Sequence, residues 1–164
     1  MMHPSEDSGC RPPTDAKPRA VVDTNILIRA LIKPQGTVCP ILGRLRGGDY
    51  ILVYSEPLLD ELLAKLALPR IKVKYHLDDE AIEAFLALAA LRGQQVTPAR
   101  QVHVCRDPDD DRVIEAALEG DVRYVVTGDE DLLTLQCFEG IHFVSPRDFL
   151  AFLSGQQIES LHPT

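Results

Sequence analysis

Two rhythms of apolar and polar positions divide this chain: short β-branched runs that end near an acid, and longer stripes at helical spacing. The first run, Ala20 to Val22, stops at Asp23, and a helical pattern follows at once, with Thr24 or Asn25 able to cap its first turn. Pro34-Gln-Gly36 breaks that helix, and a second is expected over Val38 to Leu45, closed by Gly47-Gly48. Tyr50 to Tyr54 is unbroken in its apolar character, which suits a strand buried on both faces. Ser55 then caps a helix with Pro57 in its first turn and leucines at 58, 59, 62, 63 and 66.

The alternation continues. Arg70-Ile-Lys-Val-Lys74 reads as a connection between helices, and Asp78 or Asp79 opens a helix striped by Ile82, Phe85, Leu86 and Ala89. A short strand is expected around Gln95 to Thr97, followed by a connector, Pro98 to Val104, that fits no element. Asp107 caps the next helix, with Pro108 at its first position and Val113, Ile114 and Ala117 on its apolar face. Tyr124 to Val126 is a strand that runs into Thr127-Gly-Asp129, just before a helical turn over Glu130 to Leu135. Ile141 to Val144 reads as an edge strand, and Ser145-Pro-Arg-Asp148 opens a closing helix, Phe149 to Leu153. Strands alternating with helices predict an α/β domain on a parallel sheet.

At 164 residues the chain suffices for one domain with a sizeable core, expected from Arg19 to Gly155. Residues 1–18 mix Pro, Ser, Asp and Gly with little to bury and are expected to form a disordered extension, with 156–164 as a C-terminal tail. No apolar run reaches the ~20 residues of a membrane span. The four cysteines, Cys10, Cys39, Cys105 and Cys137, are far apart and lack metal-ligand spacing, so free thiols in a reducing cytoplasm are expected. A net charge of -8 opposes a polyanionic substrate, unless several acids are gathered around a cation.

Several acids stand where that gathering would occur. Asp23 and Asp129 follow strands, at the sheet edge where open α/β folds bind ligands. Asp60 and Glu61 flank the leucine stripe at similar angles, so spacing leaves both open, and Glu61 can also pair with Lys65 at i+4. Asp110 shares a helix face with Val113, Ile114 and Ala117, which favours it over Asp111 at the stripe's margin. Each has a plainer reading, since Asp23, Asp107 and Asp129 would all serve as helix caps. Right-handed crossovers nonetheless bring the carboxyl ends of the strands to one edge. Four carboxylates there repel unless their pKa values rise or a cation neutralises them. Oxygen donors without His or Cys suit Mg²⁺ or Mn²⁺, and such a centre hydrolyses phosphodiesters without a protein nucleophile. The chain has no Walker loop, nucleophile elbow or dinucleotide fingerprint.

Four segments resemble the motifs of PIN domains in the order of that family: Val21-Val-Asp-Thr-Asn-Ile-Leu, Ser55 to Asp60-Glu-Leu62, Asp107-Pro-Asp-Asp110 through Ala117-Leu118, and Val126-Thr-Gly-Asp-Glu-Asp-Leu-Leu133. The nearest subgroup is the VapC-like toxin component of type II toxin–antitoxin systems. The resemblance implies a three-layer α/β/α sandwich with a central parallel sheet, and a Mg²⁺- or Mn²⁺-dependent ribonuclease. It places the four acids on Asp23, Glu61, Asp110 and Asp129, with metal on Asp23, Asp110 and Asp129. Thr127 matches the hydroxyl residue before the fourth acid and would orient a carboxylate or phosphate. Asp107, Asp111, Asp131 and Asn25 are secondary candidates. Arg29, Lys33, Lys65, Arg70, Lys72, Lys74 and Arg112 are candidate phosphate contacts. Expected partners are an RNA substrate, a small antitoxin and a second copy of the chain, with no membrane. The alternatives are an RNA-processing or flap nuclease outside a toxin module, and a catalytically weak module that binds RNA or protein.

Overall fold

The computed structural model describes residues 17–33 and 35–155. The expected extension and tail therefore lie outside the described residues, apart from Lys17 and Pro18. Pro18 already belongs to the sheet: its carbonyl accepts from the Ile51 N–H at 2.8 Å.

The first half of the fold runs β1 (Arg19–Val22), α1 (Thr24–Ile32), α2 (Pro40–Arg46), β2 (Ile51–Ser55), α3 (Glu56–Leu66), α4 (Pro69–Lys74), α5 (Asp79–Arg92) and β3 (Gly93–Val96). The second half runs α6 (Pro108–Glu119), β4 (Tyr124–Val126), α7 (Glu130–Leu135), β5 (Cys137–Phe138), β6 (Ile141–Val144) and α8 (Pro146–Leu153). The strands lie in the order β3-β2-β1-β4-β6-β5. Every adjacent pair is parallel except β5 with β6.

Strand β6 is therefore interior, not the expected edge. The chain turns sharply on either side of β5, with positive φ at Gln136, Glu139 and Gly140, and folds a two-residue strand back along β6. A strand that short leaves no alternation to read. The basic segment expected as a connection forms α4. Strand β3 begins at Gly93, before the expected Gln95. A Cβ at Gly93 would lie 2.5 Å from the Ala89 carbonyl oxygen and 2.7 Å from that of Leu52, so the passage from α5 into β3 requires glycine.

Successive residues of each strand face opposite sides, and both sides are buried. Ala20, Val22, Leu52, Tyr124 and Val126 join one core with Ile26, Ile41, Leu62, Phe85 and Phe149. Val21, Val53, Val125 and Phe143 join the other with Val113, Ile114, Ala117 and Leu132. Two covered faces explain why the strands read as unbroken apolar runs. They make the molecule a three-layer α/β/α sandwich on a mostly parallel sheet.

The order of construction matters most for the site. From β1 the chain adds β2 and β3 on one side, then β4, β6 and β5 on the other. The carboxyl ends of β1 and β4 thus flank a topological switch point, where open sheets of this kind form a crevice.

Among the described residues no helix is long and apolar enough to cross a membrane. Cys39 and Cys105 are free thiols, as expected. Cys137 is disulfide-bonded, which corrects the reading of all four cysteines as free; wide sequence spacing carries no information on which thiols folding brings together. Cys10 lies outside the described residues.

Candidate active site

Strand β1 hands its last ladder bond to Asp23, whose N–H donates to the Val126 carbonyl at 2.8 Å. Asp23 is itself the cap of α1, in place of Thr24 or Asn25: its Oδ1 accepts from the Asn25 N–H at 3.3 Å. Its Oδ2 accepts from the Thr127 hydroxyl at 2.9 Å. The side chain is 5% exposed, a depth at which a carboxylate needs such donors. Capping and site-building are two uses of one carboxylate.

Thr127 joins two acids. Its N–H pairs with the Val144 carbonyl at 2.9 Å, which fixes the backbone just past β4. Its hydroxyl then accepts from the Asp129 N–H at 3.0 Å while donating to Asp23. Asp129 caps α7, taking the Asp131 N–H on Oδ1 at 2.8 Å.

Packing of α1 on α3 distinguishes Glu61 from Asp60. Because Asp23 supplies the cap, the Thr24 hydroxyl is free to turn across to α3, where it donates to Glu61 Oε2 at 3.0 Å. Lys65 donates to the same oxygen at 2.9 Å, so the expected i+4 pair also forms. Asp60 is exposed. Thr24 is a contact that sequence reasoning missed; the signal for it was a hydroxyl one residue after a better cap.

At the start of α6 the two adjacent aspartates divide their roles in a way the helical stripe did not predict. Asp111, expected at the margin, is the buried one at 4% exposure, and its Oδ1 accepts from the Val104 and Cys105 N–H groups at 3.0 and 2.9 Å. It ties down the connector that fitted no element. Glu115, one turn on and also buried, takes the Val102 N–H at 3.0 Å in the same way. Asp110 is half-buried, and its carboxyl feels the charges of Asp129 and Asp23.

The electrostatics follow from that convergence. Burial pushes the Asp23 carboxyl above its ordinary value against the pull of the Thr127 and Asn25 bonds, and Glu61 and Asp129 add to the rise. Burial, then the charges of Asp129 and Asp23, push Asp110 up to about 7. Like charges crowded together raise pKa in this way, and a hard divalent cation with oxygen ligands would relieve it. In donor chemistry the residues suit such an ion. Among the described residues, however, no three His, Cys, Asp or Glu side chains are arranged to hold one.

The remaining candidates are exposed or paired with other groups. Asp107 caps α6 through the Asp109 N–H at 3.0 Å, and Asp131 is exposed with Arg106 at 3.4 Å. Asn25 Oδ1 accepts from Lys65 at 3.5 Å. Arg29, Lys33 and Arg70 are exposed. Lys72 pairs with Asp79 at 3.2 Å, and the Lys74 ammonium lies 5.3 Å from the centre of the Tyr75 ring. Arg112 is committed to Glu115 at 2.9 Å.

Fold and site together define an α/β domain in which Asp23, Asp110 and Asp129 lie within electrostatic reach of one another near the switch point. Residues 19–131 match the model of the family described as PIN domain, and the chain belongs to that family. PIN domains are nuclease-type hydrolases that generally use divalent metal ions. The chain is also similar to the uncharacterized protein MJ1680 of Methanocaldococcus jannaschii, with 32% identity over 120 residues that cover 73% of this chain and 76% of that protein.

Proposed function

We propose that this protein is a metal-dependent endoribonuclease acting on single-stranded RNA, and the toxin of a toxin–antitoxin pair held inactive by a small antitoxin. The observation that carries the reading is the convergence of Asp23, Asp110 and Asp129 on one crevice, with Glu61 tied to the same edge through Thr24. Asp23, Asp110 and Asp129 would hold Mg²⁺ or Mn²⁺. When bound, such an ion supplies Lewis-acid polarisation of the phosphoryl group and a water of lowered pKa.

The protein's own groups divide the remaining work. Thr127 fixes the Asp23 carboxylate relative to the Asp129 backbone. Thr24 and Lys65 both donate to Glu61 Oε2, which leaves Oε1 to accept a proton from the attacking water. Arg29 on α1, Lys33 just past it and Arg70 on α4 are exposed cations and candidates to meet phosphates. An acidic chain, pI 5.0, then grips RNA weakly without metal and in a salt-sensitive way. Homodimer formation and a cytoplasmic setting belong to the same reading. The free thiols at Cys39 and Cys105 support the cytoplasm, and the disulfide at Cys137 weighs against it.

The test is cleavage of a labelled single-stranded RNA with Mn²⁺ or with chelator, comparing wild type, Asp23→Asn, Asp110→Asn and Asp111→Asn. Metal-dependent cutting lost in the first two variants is the expected result. No cutting by wild type under any metal overturns the enzymatic claim. Structured RNA and flapped DNA alongside separate a processing or flap nuclease, and neutralisation by a co-expressed small partner tests the toxin role.

A second reading has its own observation: no three donors are arranged around one point among the described residues. A PIN module that binds RNA or protein with little chemistry would give metal-independent RNA binding that survives Asp110→Ala.

A further inference from the structure

Beside the acids lies a second cavity of about 440 Å³, lined by Val104, Cys105, Arg106, Asp131 and Leu135. It falls within the size range of small-ligand sites. Two links join it to the acids. The Asp131 N–H donates to Asp129 Oδ1, and the Cys105 thiol lies within electrostatic reach of Asp110 and Asp129. Anything seated in it is therefore next to a group held by Asp129 and Asp110.

Its walls are of two kinds. Val104 and Leu135 are each 38% exposed, large apolar side chains left open to solvent from different segments of the chain. At the mouth the Arg106 guanidinium and the Asp131 carboxylate form a loose pair at 3.4 Å, both largely exposed. A planar aromatic ligand satisfies both kinds of wall at once. Its faces meet apolar carbons and a stacking guanidinium, and its polar edge meets a donor beside an acceptor.

We propose that this cavity is a subsite for the nucleobase next to the scissile phosphate, and that it selects guanine. The proposal rests on the reading of the acids as a nuclease centre. Guanine alone among the four bases presents two adjacent N–H donors, which a carboxylate accepts together, next to a carbonyl oxygen that an arginine can reach. Asp131 takes N1–H and N2–H, and Arg106 donates to O6. Because the Arg106–Asp131 pair is exposed, opening it to admit the base costs little.

The experiment sequences cut sites in a randomised single-stranded RNA treated with Mn²⁺ and wild type, Arg106→Ala, Asp131→Asn or Leu135→Ser. Metal-free wild type is titrated in parallel with the trinucleotides ApGpA and ApUpA by NMR. Wild type is expected to cut preferentially beside guanine, by about tenfold over other bases, the factor that one good base contact gives. The Arg106 and Asp131 variants lose that preference, and the Arg106 variant cuts a guanine-free RNA at the wild-type rate. ApGpA, and not ApUpA, shifts the amide signals of Val104, Arg106 and Leu135. Cleavage with the same base preference in all four proteins overturns the subsite and leaves the nuclease reading intact. If wild type cuts nothing, the nuclease reading fails separately. Selective shifts with ApGpA then support the cavity as a guanine site, and equal or absent shifts overturn it.

Discussion

The Thr127 hydroxyl donates to the buried Asp23 carboxylate at 2.9 Å, across 104 positions of sequence and between the ends of two adjacent parallel strands. The same oxygen accepts from the Asp129 N–H, so one small side chain fixes two acids. Replacing it with valine keeps the shape and removes both bonds. Thr127→Val is expected to lose about 1–3 kcal/mol of stability, the cost of stranding buried polar groups, whereas Thr127→Ser retains nearly all of it. Urea denaturation of the two variants decides this.

Neighbouring aspartates should behave oppositely. Asp111 serves two backbone N–H groups of the connector, so Asp111→Ala should unfold more easily, by about 1–3 kcal/mol. Asp110→Asn removes a charge from a repulsive cluster and is expected to fold at least as stably as wild type. Thermal melts in chelator give the ordering; a large loss in Asp110→Asn would contradict it.

The raised pKa values carry a definite pH dependence. Asp23 and Asp110 both bind a proton more tightly folded than unfolded. Stability of the metal-free protein should therefore fall as pH rises from the ordinary carboxylate range of about 4 towards the Asp110 value of about 7, and level off above it for that group. Asp110→Asn should flatten this slope, and so should Mn²⁺, which stabilises the ionised cluster by mass action. Melting temperatures from pH 5 to 8, with chelator or Mn²⁺, test the sign.

Arg112 and Arg29 differ in what they touch. Arg112 offsets the buried Glu115 carboxylate, which in turn holds the Val102 N–H. Arg112→Ala should cost about 1–3 kcal/mol by leaving that charge without its partner, with no change in the salt dependence of RNA binding. Arg29→Ala should leave stability unchanged and lower the salt slope by about one. Equal slopes in both variants would remove Arg29 from the phosphate contacts.

By itself the sequence determined the covered parallel sheet and the carboxyl ends of β1 and β4. Runs such as Ala20 to Val22 and Tyr124 to Val126 are apolar without break because both faces of a parallel sheet are covered, and each is followed within a few residues by a capping acid. Local sterics and capping suffice for that much. Tertiary structure alone decided which acids meet. Helical spacing treats Asp60 and Glu61 as near equals, but only Glu61 meets the Thr24 hydroxyl across from α1. The stripe on α6 turned Asp110 inward, yet the connector that fitted no element took Asp111 into the core and left Asp110 facing Asp129. An irregular segment has no period to read. Its unpaired N–H groups must still find acceptors, and that need, met only on folding, set the rotation of the acids one turn away.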